Sequence, residues 1–370
     1  MEYGDGTRCV RAGVPAPAPG QAFLPGPVLA STYHLDPAGP LPGVDGYGRM
    51  DNPTWRALES AIGELEGGEC VVFASGMAAI SAVLLALTRP GDAVVLPADG
   101  YYKTRAFAAE ALGGGGVDVR TVATAGPYPS LAGVRLMLLE TPANPGLDVC
   151  DIAELAGAAH EAGALLAVDN TTATPLGQRP LQLGADISVA SGTKALTGHS
   201  DVLFGYVCTT DAELAERIRG WRTSTGALLG PVEAWLAHRS LATLDLRLSR
   251  QSANAAAVTE LLASRPEVVS VRWPGRPADP SYVVARRQMR RIPGVVTFTL
   301  PSKSHVDGFL AASRLVLSAT SFGGLHTTAD RRAQWGDDTP EGLVRLSCGI
   351  EDTADLLDDL SQALDKVSAP

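Results

Sequence analysis

The sequence predicts an α/β protein, with a mostly parallel sheet carrying helices on both faces and a smaller α+β domain after it. Three observations lead there. Short apolar runs alternate with helical stretches from residue 55 to residue 208, the pattern of strands buried between two helical layers. One such run, Ala164-Leu165-Leu166-Ala167-Val168, delivers Asp169-Asn170-Thr171-Thr172 to a sheet edge. The segment Ser191-Gly192-Thr193-Lys194-Ala195-Leu196-Thr197-Gly198-His199-Ser200-Asp201 then lies between two further apolar runs, 186–190 and 202–208, and reads as a turn with Lys194 at its centre. Open α/β sheets bind ligands at strand ends of this kind.

A chain of 370 residues is long for one domain, so a large and a smaller domain are expected. Hydrophobic residues make up 45%, and 40 Gly and 26 Pro are spread along the chain, which fits a globular protein rather than a disordered one. The longest nearly apolar run, 77–87, is too short to cross a bilayer, and the start Met1-Glu2-Tyr3-Gly4-Asp5 does not read as a signal peptide. A cytoplasmic protein is expected. The formal net charge of -10 argues against a nucleic-acid surface. Cys9, Cys70, Cys150, Cys208 and Cys348 show no paired spacing, so neither a disulfide framework nor a metal site is expected.

Residues 1–52 are rich in Pro and Gly with little periodicity beyond 28–33, and predict an extended arm. Residues 55–66 have helical spacing, with Leu58, Ile62 and Leu65 on one face and Gly67-Gly68 as a stop. A buried strand at 70–74 runs into Ser75-Gly76-Met77, which opens a helix over 78–87. Such a strand, small-residue turn and helix N-terminus make an anion site, because free amides and the helix dipole point at the ligand. The strand at 93–97 leads to Asp99-Gly100-Tyr101-Tyr102-Lys103-Thr104-Arg105, and a helix finishing over 108–112 is broken by Gly113 to Gly116. Strands at 117–122 and 135–139 follow, the second ending in Glu140-Thr141-Pro142-Ala143-Asn144-Pro145-Gly146; an amphipathic helix covers 151–162. Past Cys208 come helices at 211–220, 231–241 and about 244–263, the last joining the two domains. Strands at 269–273, 295–300, 315–319 and 343–347, with helices at 303–312 and 352–367, complete the small domain. The expected division is an arm over 1–52, a large domain over 53–238 and a small domain over 239–370.

An acid at one strand end and a hydroxyl-flanked lysine near another suit a pyridoxal phosphate enzyme. Six segments carry a more specific likeness: Tyr47-Gly48-Arg49 followed by Asn52-Pro53-Thr54; Ser75-Gly76-Met77; the Tyr101 segment; Glu140-Thr141-Pro142-Ala143-Asn144-Pro145; Ser191-Gly192-Thr193-Lys194; and Arg345-Leu346-Ser347-Cys348-Gly349-Ile350-Glu351. Over about residues 6–364 the chain resembles the transsulfuration family of pyridoxal phosphate enzymes, which includes cystathionine γ-lyases, cystathionine γ-synthases and methionine γ-lyases.

The resemblance implies the aspartate-aminotransferase-like fold (fold type I) with a seven-stranded sheet, and pyridoxal 5'-phosphate as cofactor. By the same resemblance Lys194 carries the cofactor and removes the substrate's α-proton, while Asp169 keeps the ring nitrogen protonated. Tyr101 stacks on the ring and donates a proton to the leaving group. Gly76 and Met77 give backbone amides to the phosphate, and Ser191 and Thr193 give hydroxyls. Asn144 reaches the ring oxygen and the substrate carboxylate, Arg345 binds the α-carboxylate, and Ser321 lies beside the substrate. Tyr47 and Arg49 reach the phosphate of a neighbouring subunit, in a homotetramer built as a dimer of dimers with shared sites.

The expected activity is C–S cleavage of cystathionine or a related sulfur amino acid, with γ-elimination first. The alternatives are γ-replacement on an O-acylhomoserine, β-lyase or methionine γ-lyase chemistry, and a cofactor-holding protein without turnover. Thr320 stands where many γ-lyases and γ-synthases have glutamate. Lys103 replaces a family glycine, Arg105 lies one place nearer Tyr101, and the stretch from Gly323 to Asp330 reads as a shortened entrance loop.

Overall fold

The computed structural model describes residues 3–39 and 41–368. The outermost ends of the expected arm and small domain, at 1–2 and 369–370, and position 40 in the arm lie outside the described residues. In chain order the first part of the structure contains α1 (Asp5–Arg11), α2 (Pro53–Glu66), β1 (Glu69–Phe73), α3 (Gly76–Leu87), β2 (Ala93–Pro97), α4 (Tyr102–Phe107), β3 (Asp118–Val122), β4 (Val134–Glu140), α5 (Ile152–Glu161), β5 (Leu165–Asp169), α6 (Thr174–Gly177), β6 (Ile187–Ala190) and β7 (Gly205–Thr209). Next come α7 (Ala212–Thr225), α8 (Pro231–Leu241), α9 (Leu244–Ser264), β8 (Ser270–Arg272), α10 (Tyr282–Gln288), β9 (Val295–Thr299), α11 (Lys303–Ala312), β10 (Leu317–Ser318), β11 (Thr328–Arg331), β12 (Leu343–Ser347) and α12 (Thr353–Ser368).

Seven strands form one sheet in the order β1-β7-β6-β5-β4-β2-β3, in which only β7 runs antiparallel to its neighbours. The order reverses between β2 and β4, and the C-terminal ends of β4 and β5, Glu140 and Asp169, share one register position. The sheet is apolar on both faces. One face packs Val71, Phe73, Val94, Leu136 and Ile187 against α3 and α7, and the other packs Val95, Met137, Leu139 and Leu166 against α5. A fully buried side chain of this size contributes roughly 1.5–3 kcal/mol. The second sheet, ordered β10-β11-β12-β9-β8, packs Val296, Phe298, Val344 and Leu346 against α9, α11 and α12.

Local signals set the helix ends. Asn52 accepts from Thr54 N ahead of Pro53 at the start of α2, and Gly67 ends that helix in the left-handed region at φ 87°. Ser75 caps α3 by accepting from Ala78 N.

Three expectations are corrected, and one element is added. The arm is not wholly extended: α1 forms within it and buries Cys9 and Ala12 against α2 and α9, a fit that Gly and Pro content conceals. The helix expected to finish over 108–112 is π-helical over Ala108–Gly113. Residues 282–288 form α10, which buries little more than Ala285 and so shows weak periodicity. The loop expected between Gly323 and Asp330 contains β11, which pairs with β12 and holds Asp330 opposite Arg345.

Candidate active site

Lys194 sits in the turn between β6 and β7, and the turn is pinned from three sides. Thr193 and Phe204 close its neck, with Thr193 N donating to Phe204 O (3.1 Å) and Phe204 N donating to Thr193 Oγ1 (3.0 Å). Arg247 of α9, buried, donates from Nη1 to Ala195 O (2.5 Å) and from Nη2 to Leu196 O (3.0 Å) and Ser240 O (2.9 Å). A Cβ at Gly198 would stand 2.1 Å from Arg247 Nη1, so this close approach needs glycine. From the connection between β10 and β11, Gly323 approaches so closely that its Cβ would lie 2.7 Å from Ala195 N. The anchored lysine is half-buried, and desolvation with help from nearby Arg345 lowers its pKa to about 8, against the pull of Asp169.

Asp169 ends β5, and its Oδ1 accepts from Thr171 N (2.9 Å) and Thr171 Oγ1 (2.5 Å). Thr171 Oγ1 in turn accepts from Ser191 N (2.8 Å), which ties the aspartate strand to the lysine turn. Burial raises the Asp169 carboxyl, while Thr171 and Lys194 oppose the rise. Beside it Glu140 is buried with Oε2 accepting from Tyr101 N (2.6 Å) and Oε1 from Asn144 N (2.7 Å).

Arg345, in β12, donates from Nη1 to Asn144 Oδ1 (2.7 Å) and from Nη2 to Ser321 O (3.0 Å), and lies 3.2 Å from Asp330 Oδ1. Asp330 thus supplies a negative charge to this buried arginine from the next strand. Arg345 Nε is nevertheless buried without a hydrogen-bond partner. Ser321 is held at φ 80°, a conformation that costs a non-glycine residue energy and that turns its carbonyl to Arg345. The Phe322 ring lies between two cations, 5.6 Å from Lys194 Nζ and 5.1 Å from Arg345 Cζ.

These groups converge on one cleft of about 370 Å3. Of the residues singled out from sequence, Gly76, Met77, Tyr101, Asn144, Asp169, Ser191, Thr193, Lys194, Thr320, Ser321 and Arg345 all line it. Tyr47 and Arg49 do not. Arg49 donates to Thr223 O (3.2 Å) and stacks over Tyr47, which is half exposed. Tyr102, the neighbour of Tyr101 in sequence, is in the wall as well, edge-on to Tyr101 at 5.3 Å. Arg105 donates to Gly100 O and is not in the lining. Sequence reasoning missed Glu140, Thr171, Arg247, Arg332 and Trp335 as site-building residues. Asp169-Asn170-Thr171 and Arg247 stood inside recognised segments, but only tertiary contacts give them work.

The cleft fits pyridoxal phosphate on its own chemistry. The amides of Gly76 and Met77 open α3 with no intrahelical acceptor, next to Ser75, Ser191 and Thr193 hydroxyls, and a Cβ at Gly76 would stand 2.6 Å from Ser191 Cβ. The phosphate would sit there, the ring nitrogen at Asp169, and the aldehyde carbon at Lys194. Fold and site together define a pyridoxal-phosphate-dependent enzyme of the α/β class.

Known proteins place it further. The chain belongs to the Cys/Met metabolism PLP-dependent enzyme family, whose model matches residues 6–365. It is 56% identical to a putative cystathionine gamma-lyase of Streptomyces coelicolor over 99% of this chain and 94% of that one. It is 41% identical to an L-methionine gamma-lyase of Pseudomonas putida, covering 87% and 85%. The crystal structure of cystathionine gamma synthase from Xanthomonas oryzae pv. oryzae in complex with aminoacrylate and cysteine superimposes with a TM-score of 0.94 at 35% identity, over 99% of each chain. Among the described residues, no helix is long and apolar enough to cross a membrane.

Proposed function

We propose that this chain is a carbon–sulfur lyase that cleaves cystathionine or a related sulfur amino acid by γ-elimination. The observation that carries this reading is the placement of Lys194: a half-buried amine whose pKa is lowered to about 8, in one cleft with Asp169 and with Arg345 and Asn144. The bound cofactor supplies the electron sink that acidifies the substrate's α-proton. Arg345 and Asn144 hold the α-carboxylate, a task for which the planar guanidinium fork is suited. Lys194 Nζ then faces the α-carbon and takes its proton; loss of a thiol from the γ-carbon needs a second proton removed at the β-carbon, and the same amine serves. Asp169 keeps a proton on the ring nitrogen. Tyr101 stays a phenol because burial raises its pKa, so its hydroxyl can donate to the departing thiolate.

Gly76, Met77, Ser191 and Thr193 bind the phosphate. Tyr47 and Arg49, turned away from their own cleft, serve that of a neighbouring subunit in a cytoplasmic homotetramer, with the arm ending near residue 52 and the small domain starting near 239. Similarity to a γ-synthase supports a second reading, γ-replacement on an O-acylhomoserine.

Product analysis separates the readings. Purified holoenzyme given cystathionine should release cysteine, ammonia and 2-oxobutyrate. Homocysteine with pyruvate would mean β-cleavage, and cystathionine formed from an O-acylhomoserine and cysteine, without its breakdown, would overturn the lyase assignment.

A further inference from the structure

The stretch after Ser321 carries a cluster that the proposed chemistry leaves unused. Arg332 follows β11 and lines the cleft together with Trp335, Tyr102 and Thr320. Its guanidinium is locked between two buried acids: Nε donates to Asp337 Oδ2 (2.8 Å), Nη2 lies 2.5 Å from the same oxygen, and Nη1 donates to Asp330 Oδ2 (3.0 Å). An arginine has five N–H donors. Three are engaged here, so Nη1 and Nη2 each keep one in a rigid cation at the cleft wall.

The acids, by contrast, are each already paired with an arginine. Asp330 Oδ2 also accepts from Trp335 Nε1 (2.9 Å), and Asp330 Oδ1, buried without a hydrogen bond of its own, is ion-paired with Arg345 at 3.2 Å. The acids that line the cleft itself, Glu140 and Asp169, end β4 and β5 on the floor. Position 320 is threonine. The outer cleft thus offers a fixed cation with donors to spare and an indole wall, and among the described lining residues it holds no uncommitted carboxylate for an ammonium.

We propose that Arg332 is a specificity-determining residue that receives a carboxylate at the far end of the thioether substrate. The far end of cystathionine is then recognised through its carboxylate and not through its amine. This inference rests on the lyase reading. It predicts selectivity for thioethers with a distal anion over those with a distal apolar group or a distal cation.

The test compares three homocysteine thioethers that differ only at the tip: S-(2-carboxyethyl), S-propyl and S-(2-aminoethyl). For the unmodified holoenzyme kcat/KM should be about tenfold or more higher for the carboxyethyl than for the propyl compound, as one charge-assisted bond implies, with the aminoethyl compound lowest. In Arg332→Gln the carboxyethyl-to-propyl ratio should fall toward one, and Arg332→Lys should keep part of it. Equal kcat/KM for all three in the unmodified enzyme overturns the proposal without need of any variant. A ratio that survives in Arg332→Gln, with all three substrates slowed by one factor, overturns it too, and assigns Arg332 to holding Asp330 and Arg345. No turnover of any thioether would instead sink the lyase reading.

Discussion

Glu140 and Asp169 stand side by side in register at the ends of two parallel strands, both buried and both lining one cleft. Their jobs differ. Each oxygen of Glu140 takes one backbone amide, that of Tyr101 or that of Asn144, so a single carboxylate joins two loops of the site. Gly100 makes room for it, since a Cβ there would lie 2.7 Å from Glu140 Oε2. Glu140→Gln sets an amide NH2 against one of those N–H donors and leaves a buried donor unpaired, at a cost of about 1–3 kcal/mol. Thermal unfolding of the variant should show that loss, and kcat/KM should fall because Tyr101 and Asn144 shift together. Full activity with unchanged stability would show that the two loops hold themselves.

The lysine makes a pH-dependent prediction for the cofactor-free protein. Burial lowers its pKa from 10.5 to about 8, so the folded chain gives up this proton more readily than the unfolded chain. The linked stability is complete above 10.5 and is lost as pH falls through about 8. Lys194→Met carries no such charge. Its gain in melting temperature over the unmodified protein should be constant below pH 8 and should shrink between 8 and 10.5. A gain independent of pH across that window would mean that the amine is not desolvated.

Much of this was legible in the sequence because the site is built at strand ends, where local signals are strong. The runs before Asp169 and around Lys194 are apolar on both faces, and their abrupt change to polar residues marks the sheet edge. The turn Ser75-Gly76-Met77 marked the start of α3, and β2 and α8 begin and end where the pattern places them. What was not legible depends on distant partners. Arg247 reads as one more helical arginine until Ala195 and Leu196 carbonyls are found against it. Asp330 and Arg332 read as loop residues because β11 is four residues long and is defined by pairing with β12, not by its own periodicity. Cys9 and Ala12 show the same limit in the arm, where burial comes from α2 and α9.

Shared sites can be tested by complementation. Tyr47 and Arg49 lie outside the cleft of their own chain, with Arg49 bound to Thr223 O. Mixing Arg49→Ala chains with Lys194→Ala chains should recover part of the activity that each homo-oligomer lacks, since a hybrid pair keeps one intact site. Activity no higher than that of the parents, after verified subunit exchange, would argue that each chain is self-sufficient.

The most direct measurement is reduction of the holoenzyme with borohydride followed by peptide mass mapping. Lys194, a half-buried amine in the cleft brought to a pKa of about 8, is the expected point of attachment. The pyridoxyl mass should therefore appear on the peptide containing Lys194 and should vanish, together with the visible absorbance of the bound cofactor, in Lys194→Ala. A label on Lys103, or a Lys194→Ala protein that keeps both the absorbance and the label, would contradict it.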